Sequence, residues 1–132
     1  MESSFTVPCI TIDTTYQSIF SEETYPKTVR GGMLLTDRID AQNLRLRESN
    51  AGYKANWHVA GDPTLIIVQQ GILRITLQDQ SFRDFKSGDA FIAKDYLPDG
   101  IKFDATIHGH CAEVIGNESL KAIHIKLAIV DK

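Results

Sequence analysis

Cysteine is scarce in this chain: Cys9 and Cys111 are the only two among 132 residues. They are too few and too far apart for a metal knuckle or a disulfide framework, and both read as reduced, structural residues. Cys111 beside His110 would be an activated thiol only if both faced one space, and neighbours in a strand face opposite ways. Clustered basic residues are missing as well. Lys and Arg total 14 against 17 Asp and Glu, for a net charge of −3 and a pI near 5.7. Nucleic-acid binding rests on grouped cations that neutralise phosphates, so no nucleic-acid partner is expected. No apolar run approaches the roughly 18 residues that cross a bilayer. The start, MESSFTVPC, has neither a basic head nor a long apolar stretch. A cytoplasmic protein without a membrane partner is the expectation. Asn117-Glu118-Ser119 matches a glycosylation triplet, but without a secretion signal it reads as a turn.

What the chain does have is a composition of 42% hydrophobic and 23% charged residues, ordinary for a globular domain. At this length one core suffices, because such a chain buries roughly two thirds of its unfolded surface. Short stretches of alternating or β-branched residues recur, separated by turn chemistry. Phe5 to Ile12 is extended, and Pro8, lacking a donor, pushes that strand to a sheet edge or to a position with no ladder bond to lose. Tyr16 to Phe20 reads as a further short strand, followed by the polar connection Ser21 to Pro26. Ala41 to Glu48 alternates Leu44 and Leu46 with Arg45 and Arg47, which reads as a buried leucine face and a solvated basic face. Ile72 to Leu77, Ser81 to Phe85 with Phe82 and Phe85 for the core, and AFIA after Gly88-Asp89 continue the pattern. Leu120 to Val130 is the last strand, with His124 and Lys126 on its outer face against Ile123, Ile125 and Leu127. Strands at this spacing, with no long helical period, predict an all-β sandwich or barrel.

The organising stretch is Gly52 to Gly71. Asn56, His58 and Ala60 share one side of a short strand, Gly61-Asp62-Pro63 interrupt it, and Thr64 to Val68 form a buried strand. Trp57 falls on the opposite face from His58 and packs outside, at a contact between copies rather than as a substrate platform. Further on, Lys94 to Thr106 departs from the compact pattern, with a turn at Pro98-Asp99-Gly100. Two readings are open: a lid over a barrel mouth, with Tyr96, Leu97 and Phe103 as its apolar contacts, or a hairpin extension packed outside. Ile107 to Ile115 alternates again. A solvated Glu113 turns Cys111 outward and places His108, His110, Ala112 and Val114 inside.

The stretch from Gly52 to Gly71 resembles the first signature of the cupin superfamily, G-x5-H-x-H-x3-4-E-x6-G. Gly52, His58 and Gly71 match, while Ala60 stands at the second histidine and Thr64 at the glutamate. Gly88-Asp89 resembles the start of the second signature, and Gly109-His110 its Gly-His pair if the intervening loop is longer than usual. The resemblance covers roughly Gly31 to Leu127. It implies a single-domain, cupin-type double-stranded β-helix, or jelly-roll barrel, over residues 31–132, with residues 1–30 as N-terminal strands. In many small cupins a terminal strand pairs with a second subunit, so a homodimer is implied too.

The same resemblance carries a divalent transition metal (Zn, Fe, Ni or Mn) as an option, with His58 and His110 as ligands and His108 as a third. Ala60 and Thr64 cannot replace the missing histidine and glutamate. Without a metal, paired inward histidines can serve as acid and base in isomerisation, epimerisation or lyase chemistry on a small polar molecule. His58, Thr64, His108 and His110 are the candidate ligand-binding residues. Against the enzyme stands a non-catalytic cupin that binds a small molecule as a sensor or carrier, or serves as an interaction module.

Overall fold

A computed structural model describes residues 4–129. Val130, expected at the end of the last strand, lies outside them, as do residues 1–3 and 131–132 of the two expected segments. The strands are β1 (Ser4–Ile12), β2 (Ser18–Pro26), β3 (Thr28–Arg30), β4 (Met33–Leu35), β5 (Ala41–Ser49), β6 (Lys54–His58), β7 (Thr64–Gln70), β8 (Ile72–Thr76), β9 (Phe82–Phe85), β10 (Ala90–Ala93), β11 (His110–Ile115) and β12 (Leu120–Leu127). A six-stranded sheet runs β2-β1-β10-β7-β12-β5 and a four-stranded sheet runs β6-β11-β8-β9, with β3-β4 as a separate hairpin. Strands β5 to β8 alternate between the two large sheets, β8 and β9 form a hairpin within the smaller one, and β9 to β12 alternate again, so that the chain wraps the core in the strand order of a double-sheet jelly roll. No helix among the described residues is long and apolar enough to cross a membrane.

The N-terminal residues join this framework. β1 pairs with β2 along its whole length and with β10 in parallel at Cys9 and Ile10, so it is not an edge strand, and Pro8 takes the other place open to it, one with no ladder bond to lose. Pro8 is tolerated because the parallel pairing begins one residue later and asks no donor of it. The polar run Ser21 to Pro26 is likewise strand, held by β1 across from it.

Ile10, Ile66, Val68, Phe91, Ala93 and Ala122 from the large sheet meet Leu73, Ile75, Leu77, Phe85, Ala112 and Val114 from the small one in one core. Phe85 and Phe91 stack across it with ring centroids 4.2 Å apart. Phe82, expected in the core, is half exposed and lies beneath the Arg74 guanidinium at 4.0 Å.

The large sheet also reverses the expected faces of β5 and β12. Residues directly opposite one another in neighbouring strands point to the same side. One row runs Arg45, His124, Ile66, Phe91, and Ile66 and Phe91 are core residues. The arginines and His124 therefore face into the barrel. The neighbouring row, Leu44, Ile125, Leu65, Ile92, faces out, as does the row Leu46, Ile123, Ile67, Ala90. Leu44 and Leu46 are 59% and 76% exposed, so the leucine face is not buried in the single chain.

Two glycines are fixed by geometry. Gly71 turns β7 into β8 at φ +84°, and a Cβ there would stand 2.7 Å from the Ser119 carbonyl. Gly109 has φ +87°, and a Cβ there would stand 2.5 Å from the His58 carbonyl. Only glycine fits such conformations at such distances.

Candidate functional site

His58 and His110 are brought together by a fault in the ladder. β6 and β11 pair at Ala55↔Ala112 and again at His58↔His110, so three steps along β6 match two along β11. This bulge puts His58 on the same barrel-facing side as Ala55, which simple alternation forbids. The expectation that Asn56 and His58 share one face therefore fails; His58 lines the cavity but is itself exposed, whereas His110 is buried. The two imidazole rings lie 4.4 Å apart between centroids, tilted by 57°. They share a cavity of about 170 Å³ whose wall includes Ile66, Leu73, Ile75, Phe91 and Ala93, with Arg47, Ala60, Thr64 and His124 towards the open end. Thr64 and His124 also line an adjoining recess of about 400 Å³ with Asn43, Arg45 and Lys126.

Both histidines are anchored through Nδ1. His58 Nδ1–H donates to the Asn56 carbonyl at 2.6 Å, leaving Nε2 with a lone pair. Loss of hydration on the inner side of the ring lowers its pKa, and His110 adds to the effect while the Asn56 bond opposes it. His110 Nδ1 meets Asp95 Oδ2 at 2.7 Å, with both side chains buried. The Asp95 carboxylate is fully enclosed and also accepts from Ser18 Oγ at 2.6 Å and from the Ala60 amide at 2.9 Å. Burial alone would raise this carboxyl. The bond and charge of His110, with Ser18 and Ala60, outweigh burial and hold it below its ordinary value. A carboxylate behind a histidine fixes the ring's orientation and leaves Nε2 as the nitrogen free to act in the cavity.

Asp95 lies in the Lys94 to Thr106 stretch, outside every strand expected from the sequence, yet parity places it. Phe91 and Ala93 face the core, and two further residues on the same alternation bring Asp95 to the interior. Arg47 and His124 were also misplaced, both assigned to solvated faces. Arg47 Nε donates to Ser49 Oγ at 3.0 Å, its guanidinium lies 5.4 Å from the Tyr53 ring centre, and Nη1 makes a long contact of 3.5 Å with His124 Nε2. Burial lowers the pKa of His124, and Arg47 and Arg45 push it the same way, so the neutral ring is favoured.

His108 does not join the pair. It is buried, but the alternation that was to carry it inward beside His110 is broken at Gly109, and β11 begins only at His110. Its Nδ1 accepts from the Asp104 amide at 2.9 Å and its ring faces Phe103, away from the residues that line the cavity. Lys94 to Thr106 lends the cavity no lining residue; Tyr96 and Leu97 instead border a separate groove with Ile12 and Ile129. Trp57 is half-buried and does not line the cavity.

A mononuclear metal requires three or four converging donors. Among the described residues no three His, Cys, Asp or Glu side chains are grouped to hold one. Asp95, the nearest carboxylate to His110, is already bonded to that ring, to Ser18 and to Ala60. The donor set does not fit a resident metal held by the protein alone.

No protein-family model matches the chain, and no curated protein matches it. Solved structures do overlap with it in part. The polyketide cyclase RemF from Streptomyces resistomycificus aligns at 16% identity and TM-score 0.48, over 79% of this chain and 63% of that one. A cupin-2 domain containing protein from Shewanella frigidimarina aligns at 20% identity and TM-score 0.44, over 69% and 78% of the two chains. The cupin domain of Cnp3 from Schizosaccharomyces pombe aligns at 10% identity and TM-score 0.47, over 98% and 86%. The strand order decides the architecture. The fold is a double-sheet jelly roll. The barrel pairs His58 with His110 from the neighbouring strand, while Ala60 and Thr64 add neither imidazole nor carboxylate to the wall.

Proposed function

We propose that this cupin-type barrel binds a small organic molecule against His58 and His110, and that His110, oriented by Asp95, moves a proton on it. The single observation behind this reading is the buried Asp95–His110 bond of 2.7 Å, set behind a cavity that a second imidazole also lines. A carboxylate–imidazole pair of this kind can take a proton from a bound molecule and return it elsewhere. His58, with its Nε2 unprotonated, is the partner that accepts or relays it. The chemistry suits isomerisation, epimerisation or elimination of a molecule with an acidic carbon-bound hydrogen. Thr64, beside His124 at the open end, supplies a neutral hydrogen-bonding group to the same ligand. A second copy of the chain is proposed to cover the outer aliphatic rows of β5, β12 and β7. Exposed leucines at this density are uncommon on a monomer's surface.

The test is a screen of small organic compounds followed by NMR of the histidine ring signals, with hits then incubated in heavy water. The expected result is a compound that shifts His58 and His110 and exchanges a carbon-bound hydrogen with wild-type protein but not with His110→Asn. Binding without exchange for every hit would rule out the proton-transfer role and leave a ligand-binding barrel. No compound shifting either ring would refute the binding role.

A further inference from the structure

We infer that the ligand of this cavity is an organic carboxylate, paired with Arg47 while its body lies on the apolar wall and reaches His58 and His110. The inference rests on the binding role proposed above and goes further by naming the chemical class. Arg47 is half-buried and lines the cavity, yet among the described residues no carboxylate lies within 4.0 Å of it. The acids nearest the site are committed elsewhere, Asp95 to His110 and Asp62 to Lys126 at 3.4 Å. No Asp or Glu lines either the cavity or the adjoining recess, whereas Arg45, Arg47 and Lys126 do.

A half-buried guanidinium without a counter-charge is costly, so the sequence must gain something by turning it inward. The alternation of β5 makes the choice visible. A one-residue slip would have put Leu44 and Leu46 inside and both arginines in water. Instead the strand exposes its leucines and aims its arginines at the cavity. Arg47 is also held in place: Nε is bound to Ser49, the plane rests near Tyr53, and Nη1 makes only a long 3.5 Å contact with His124, which leaves Nη2 and the remaining capacity of Nη1 for a ligand. A planar fork pairs in two-point fashion with a carboxylate. The wall beyond it is Ile66, Leu73, Ile75 and Phe91, which suits an organic body and offers nothing to a bare inorganic ion.

Benzoate, 2-oxobutyrate and succinate serve as charged probes, benzamide as a neutral counterpart, and inorganic phosphate as an anion without an organic body. Binding is read by amide and histidine-ring NMR shifts and by calorimetry on wild type, Arg47→Gln and Arg47→Lys, with backbone spectra confirming that each variant is folded. The expected result is that at least one carboxylate binds at His58, His110 and Arg47. Its affinity should exceed that of benzamide tenfold or more, fall at least tenfold in Arg47→Gln, and recover in part in Arg47→Lys. Benzamide binding in the cavity as tightly as the carboxylates, or Arg47→Gln leaving carboxylate affinity unchanged, would overturn the inference while leaving the cavity a ligand site. Phosphate binding alone would also overturn it. If no probe, charged or neutral, perturbs a cavity residue, the carboxylate inference fails; the wider screen above then decides whether the binding role fails with it.

Discussion

Replacing Asp95 with asparagine tests the site and the fold at once. The carboxylate has no exposed surface and accepts three hydrogen bonds, from Ser18 Oγ, the Ala60 amide and His110 Nδ1. Asparagine keeps one oxygen, enough for the Ala60 amide, but sets an N–H where Oδ2 was. Ser18 can rotate to accept from it. His110 cannot donate to a donor, so its proton must move from Nδ1 to Nε2. All three charge-assisted bonds become neutral ones, at about 1 kcal/mol each. The removed desolvation cost of the carboxylate offsets part of this. A net loss of about 1–2 kcal/mol is expected for Asp95→Asn, against about 3–5 kcal/mol for Asp95→Ala, which leaves all three donors unpaired. For a domain of this size the first corresponds to a melting temperature lower by about 3–10 °C.

The pH dependence separates a charge effect from mere packing. Because the folded pKa of Asp95 lies below its ordinary 3.8, the carboxylate's contribution is complete above that value and is lost as pH falls through the folded one. The gap between wild type and Asp95→Asn should therefore be full near neutral pH and close in strong acid. Urea titrations followed by the fluorescence of Trp57 at several pH values would measure it. Nitrogen NMR of His110 should show the proton on Nδ1 in wild type and on Nε2 in the variant. An Asp95→Asn protein as stable as wild type at neutral pH, or a gap of equal size in strong acid, would refute the reasoning.

Three other outcomes are expected. Gly109→Ala should cost about 2–3 kcal/mol, since its φ is +87° and a Cβ meets the His58 carbonyl at 2.5 Å; thermal melts should show the loss and ring NMR a displaced His58. Folded pKa values of His58 and His124 lie below their ordinary 6.5, so their neutral forms stabilise the protein above that pH and the benefit is lost as pH falls through the folded values. The urea midpoint should drop between about pH 7 and pH 5, and the drop should shrink in a His58→Gln, His124→Gln double variant. Leu46→Lys, at a residue 76% exposed in the single chain, should change folding stability by less than about 0.5 kcal/mol yet convert a sedimenting dimer to a monomer. An unchanged sedimentation coefficient would remove the outer face as an interface.

Most of the strands were legible because period-two alternation and Gly, Asp and Pro turns are local signals. What alternation cannot give is its own sign. For β11 a single outward glutamate settled it correctly: Glu113 does face out, 3.8 Å from Lys54, while His110, Ala112 and Val114 are buried. For β5 and β12 the same rule, charge outward, gave the wrong face. His58 meets His110 at the cavity through a bulge that Asn56-Trp57 does not announce, and it stays exposed there, where alternation alone predicted an inward histidine. His108 is buried as the alternation implied but does not line the cavity, since a glycine at positive φ ends an alternation rather than carrying it. Asp95 shows the opposite weakness: its parity with Phe91 and Ala93 was available, but an aspartate before a Pro-Asp-Gly turn invites a loop reading.

The reversed faces of β5 and β12 tie these misreadings together. Charge-outward reasoning assumes that a strand has one buried neighbour and one aqueous one. At the open end of this barrel neither side is simply water or core. The inner row of Arg45, Arg47 and His124 faces a cavity, and the outer row of Leu44, Leu46, Ile123 and Ile125 faces beyond the chain. Each row is unfavourable for a strand in isolation, arginines without counter-ions on one side and leucines in water on the other. Both become favourable if the inner row meets an anionic ligand and the outer row an apolar surface. Alternation was thus preserved with its polarity inverted, because two external partners replace the core and the solvent as what the strand is matched to.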